Sequence, residues 1–61
     1  MSDIFLLQRA GRAIHGSLGR GWQRAVARFL GVSDSVVSDI VRERRPLQLE
    51  QREALKRRLR R

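Results

Sequence analysis

A chain of 61 residues has room for one domain, and at this size only about 60% of the surface exposed by the unfolded chain is buried on folding. Fourteen Lys and Arg against six Asp and Glu leave a formal charge of +8, with one histidine and no cysteine. Polyanions are the natural partners of such a chain, whereas a disulfide framework and a thiolate zinc site are excluded. Neither a cofactor nor a metal is expected. The longest apolar run, Ile4 to Leu7, falls far short of the roughly 20 residues that span a bilayer, and no basic segment precedes it as in a signal peptide. A soluble, cytoplasmic chain without a membrane partner is the expectation.

The charge is uneven along the chain. Residues 1–21 sum to +2, residues 22–41 to zero and residues 42–61 to +6. Thirteen of the fourteen bases are Arg, which suits bidentate phosphate binding, although a GC-rich coding genome produces the same bias.

Glycines 16, 19, 21 and 31 and the single proline, Pro46, divide the chain into four helical segments with no half-buried strand pattern. An all-α fold follows. The first helix is expected over about 3–15, capped by Ser2 or Asp3 and closed by Gly16, with Ile4, Leu7 and Ile14 inward and Leu6, Ala10 and Ala13 alongside. Phe5 falls partly off that stripe, to pack on the last helix or on a partner. The second helix, about 22–30, buries Trp22, Ala25, Val26, Phe29 and Leu30. The third, about 33–42, begins at the natural cap Ser33, with Asp34 at its first position, where the helix dipole favours a carboxylate. Val37, Ile40 and Val41 face inward, while Ser35, Asp39 and Arg42 lie on the opposite face with Ser38 at its edge. Beyond Pro46, a fourth helix over about 47–60 carries Leu49, Leu55 and Leu59 and ends in the basic run KRRLRR.

The span Gln23 to Arg42, QRAVARFLGVSDSVVSDIVR, resembles the twenty-residue helix-turn-helix of the Cro and lambda-repressor family. That pattern asks for a small residue within its first helix, met by Ala27, and a glycine four residues later, met by Gly31. Its apolar positions are filled by Val26, Leu30, Val32, Val37 and Ile40. A small side chain lets two steeply crossing helices approach, and the glycine supplies positive φ at the turn. The resemblance covers about 40 residues, and it departs from the family after the third helix, where Ile40 and Glu43 stand at places often held by an aromatic and a glycine.

What the resemblance implies is a small four-helix domain that binds double-stranded DNA, with the third helix in the major groove. Gln23 then stands where the family bonds a phosphate. Ser33, Asp34, Ser35, Ser38, Asp39 and Arg42 hold positions that reach base edges or flanking phosphates. Arg24, Arg28, Arg44 and Arg45 form a phosphate-gripping rim, which Arg20 can join.

Several of these residues also have a plainer reading. Arg42 contacts DNA or pairs with Asp39. Asp39 accepts from a cytosine, restrains Arg42 or is a solvated charge, and Asp34 is better read as a helix-start residue than as a base reader. Val36 touches a thymine methyl or is partly buried in the core, the second being favoured. Trp22 reads as core rather than as a stacking platform, and His15, at a helix end, interacts with the dipole. Arg57, Arg58, Arg60 and Arg61 suit the C-terminal dipole of the last helix.

A small transcriptional regulator of bacterial or phage type, associated with the nucleoid, is the leading functional expectation. One copy covers little DNA, so a homodimer on a two-fold site is expected, with Phe5, Leu49, Leu55 and Leu59 as candidate contacts. The alternative is the same fold binding a protein partner such as polymerase, a toxin or a phage factor, its two aspartates facing a basic surface. A membrane-surface role would rest on KRRLRR alone, without an aromatic. With one histidine, no cysteine or tyrosine and no phosphate-cradling loop, an enzyme is not expected.

Overall fold

A computed structural model describes residues 2–60, and they form four helices and no strand. The helices are α1 (Asp3–His15), α2 (Trp22–Leu30), α3 (Asp34–Val41) and α4 (Leu49–Leu59). The all-α, four-helix expectation holds. Arg61, at the end of the basic run, lies outside the described residues.

Of the two candidates to start α1, Ser2 does so: its Oγ accepts from the Phe5 N–H at 3.1 Å. Asp3, in the first turn, is thereby left to reach α4. Its Oδ2 accepts from the Leu47 N–H at 3.0 Å, and its Oδ1 accepts from the Arg52 guanidinium. One carboxylate thus ties the start of α1 both to the segment entering α4 and to α4 itself.

That tie explains why residues 47 and 48 are not helical. Leu47 is extended and buried, plugging the core from the connecting segment, and α4 begins only at Leu49. The N–H of Gln48 is satisfied by Gln51 Oε1 at 3.0 Å, which anchors the first turn after the break at Pro46.

Each of the first three helices ends on a residue with positive φ. Gly16 (φ 96) returns its N–H to the Arg12 carbonyl. At the end of α2, Gly31 (φ 73) donates to Arg28 and Val32 donates to Ala27, the paired bonds of a Schellman motif. α3 closes with the same pair of bonds, from Glu43 to Ile40 and from Arg44 to Asp39, at 3.1 and 2.8 Å. Here the left-handed position is held by Glu43 at φ 62, the only such residue other than glycine among those described.

Leu6, Leu7, Ala10, Val26, Ala27, Val37, Ile40, Leu47 and Leu55 make one buried cluster drawn from all four helices and the segment before α4. α1 is its hub, packing on α2, α3 and α4. Ile4 and Ile14 are half-buried at the margin, while Ala13 is exposed. The ring of Trp22 is partly buried against this cluster and lies over Gly11 of α1, where any Cβ would collide with the indole. Trp22 is therefore a packing residue, as expected, and its partner is a helical glycine that periodicity does not single out.

Three expectations about exposure fail. Phe29 is 42% exposed, because α4 packs chiefly on α1 and its Ala54, Arg57 and Arg58 only flank the ring across an open hollow. Leu55 is fully buried and Leu59 is packed against the core, so Leu55 offers nothing to a dimer surface and Leu59 only part of its side chain. Leu49, by contrast, is 71% exposed at the start of α4, and Phe5 is 51% exposed on α1.

Candidate functional site

α3 is held along one side only. Val37 and Ile40 are buried, Val36 and Val41 are half-buried, and the packing partners are α2 and α1. The other side of α3, from Ser35 through Ser38 and Asp39 to Arg42, follows helical spacing and stays open. With Gln23, Arg24 and Asp34 these four side chains line a single shallow depression between α2 and α3. Seven of the eleven residues predicted for the site are thus brought together.

Local structure accounts for the arrangement. The tight turn Gly31–Ser33 brings the start of α2 beside the start of α3, so Gln23 and Arg24 stand next to Asp34 and Ser35. Ser33 does occupy the position before the helix, yet its hydroxyl makes no capping bond; its carbonyl accepts from the Val36 N–H at 3.1 Å. The expected side-chain cap is therefore absent, and the Ser33 side chain is left exposed.

The ion pairing is also not the expected one. Asp39 and Arg42 form no salt bridge; instead Arg24 Nε donates to Asp34 Oδ2 at 3.2 Å, across the turn. Both partners are more than half exposed, so the pair adds at most about 1 kcal/mol to stability. Its larger effect is on charge. Arg24 and Asp34 neutralise one another at rest, and the depression, with two arginines and two aspartates, has no net charge.

The other arginines predicted to bind phosphate lie outside the depression. Arg20 lines an adjoining hollow with Gly21 and Trp22, and Gln23 belongs to both. The Arg20 carbonyl accepts from His15 Nε2–H at 3.1 Å, so His15 pins the glycine loop as well as ending α1. Arg28 is exposed on α2. Arg44 and Arg45 leave α3 into a separate hollow shared with Asp3, Ile4 and Pro46. Arg28, Ser33, Arg44 and Arg45 are the four predicted residues outside the depression.

Two features of the site escape sequence reasoning. Arg24 and Asp34 are ten residues apart, a separation that no helical spacing rule joins; only the turn makes them neighbours. The left-handed Glu43 had a visible signal, since it stands where the family pattern places a glycine.

Comparison with known proteins finds no matching family model, no similar curated protein and no similar solved structure.

Proposed function

We propose that this chain is a sequence-reading, double-stranded DNA-binding protein of helix-turn-helix type, a small transcriptional regulator that lays α3 in the major groove. The observation that carries the reading is the outward side of α3. Ser35, Ser38, Asp39 and Arg42 share one open face with Gln23 and Arg24, and none of them is needed by the core. Small hydroxyls permit close approach to base edges, an arginine can donate twice to a guanine, and an aspartate can accept from a cytosine amino group.

In this reading Arg20, Arg28, Arg44 and Arg45 flank the groove and bind phosphates, which supplies most of the affinity through counterion release. Arg24 exchanges Asp34 for a phosphate on binding. The exchange costs little because the pair is solvent-exposed.

The protein-interaction alternative needs two free aspartates facing a basic partner. Arg24 and Arg42 line the same depression as the two aspartates, so such a partner would meet as many cations as anions, which weighs against it. Dimerisation on a two-fold site remains part of the proposal, with Leu49 as its exposed apolar candidate.

Selection from random duplexes, followed by titration at two salt concentrations, tests the proposal. A defined consensus with affinity falling steeply in salt is expected, and no enrichment over the starting pool at low salt would reject it. On the selected duplex, Arg42→Ala should cost about 1–3 kcal/mol of specific binding, whereas Arg45→Ala should weaken binding to all sequences alike and lower the salt slope by about 1.

A further inference from the structure

Away from the α2–α3 depression, α1 and α4 enclose a second surface of different chemistry. Phe5, Arg9 and Arg12 follow one another along α1, Leu18 approaches from the loop after it, and Leu59 closes the far side from the last turn of α4. Phe5 is half exposed despite its size. Arg9 and Arg12 are exposed, and among the described residues they take part in no salt bridge and no acidic side chain lines the groove. One wall is fixed by Arg58, whose guanidinium donates to the Ala13 carbonyl at 3.2 Å.

We propose that this groove docks an acidic amphipathic segment of a partner protein, its apolar side chains on Phe5, Leu18 and Leu59 and its carboxylates on Arg9 and Arg12. Apolar side chains set beside two arginines are the complement of a helix carrying leucines or aromatics on one face and acids next to them. A second copy of this chain fits poorly, because a two-fold contact would set Arg9 and Arg12 against their own counterparts. A phosphate backbone would use the arginines and leave the phenyl ring without a partner. The groove shares no residue with the α2–α3 depression, so the inference stands independently of the DNA proposal and allows both faces to be occupied together.

The test uses the full chain, labelled for amide NMR, and a set of short acidic peptides with Leu or Phe at helical spacing, each paired with a scramble of identical composition. At least one peptide should bind about tenfold more tightly than its scramble, with shifts centred on Phe5, Arg9, Arg12 and Leu59. That affinity should fall about tenfold in Phe5→Ser and in Arg9→Glu. Both positions are outside the core, and the amide spectrum of each variant reports its folding. Several results would overturn the proposal: equal binding of peptides and scrambles, shifts centred on α3, or affinity unchanged in both variants. So would Phe5-dependent binding that is tighter to anionic vesicles or duplex DNA than to any peptide, or Phe5-dependent self-association in sedimentation equilibrium.

Discussion

Glu43 holds a backbone conformation, φ 62, that costs an L-residue roughly 1–2 kcal/mol and glycine almost nothing. Glycine's greater freedom in the unfolded chain returns part of that difference. Glu43→Gly should therefore stabilise the protein by about 0.5 kcal/mol, a rise of roughly 2–4 °C in Tm, measurable by thermal melting. Glu43→Val should lower Tm, since a β-branched side chain is least tolerant there. Gly11 is the reverse case. A single methyl group at that position meets the Trp22 ring, so Gly11→Ala should destabilise by about 1–3 kcal/mol, with a change in tryptophan emission reporting the displaced ring. Asp39 is half-buried, makes no ion pair among the described residues and sits between Ser35 and Arg42 on the open face. If it accepts from a cytosine, Asp39→Asn should change the preferred base at one position of the selected duplex from cytosine towards adenine. An unaltered consensus would show that this carboxylate does not read DNA.

Helix ends decide how the elements are joined. α1 and α4 are fastened by Asp3, which accepts from both the Leu47 N–H and Arg52 while about three-quarters buried. Its replacement by alanine leaves an amide and a guanidinium without their acceptor. Asp3→Ala should cost about 1.5–3 kcal/mol in denaturant unfolding, and amide exchange should accelerate first around residues 47–49, where α4 begins. Asp3→Asn should recover part of the loss, because a carboxamide oxygen still accepts. Helix existence and most boundaries were readable from glycines, the proline and apolar spacing. The start of α4 was not, because Leu47, where the helix was expected to begin after Pro46, is drawn out of it by a carboxylate forty-four residues away. Ser2 and Asp3 were interchangeable as caps on paper. Their different roles arise only because α4 lies within reach of the second.

Across the whole molecule, charge is sorted by face. The α2–α3 depression is neutral, Arg20 lies in the hollow that adjoins it, Arg44 and Arg45 lie in a separate one, and α1 with α4 presents a groove that joins arginines to apolar side chains. Sequence alone determined the net charge, the four-helix content, the core positions Leu7, Val26, Val37 and Ile40, and the grouping of Ser35, Ser38, Asp39 and Arg42 on one side of a helix. These follow from composition and from a period of 3.6, both local properties. Which apolar side chains are covered was settled only by tertiary structure. Leu55 is buried and Phe29 is not because α4 packs chiefly on α1 and only flanks α2. The pairing of Arg24 with Asp34, the glycine beneath Trp22 and the division of the arginines between two faces have the same origin. Each depends on which elements meet, and spacing along one helix carries no information about what lies across from it.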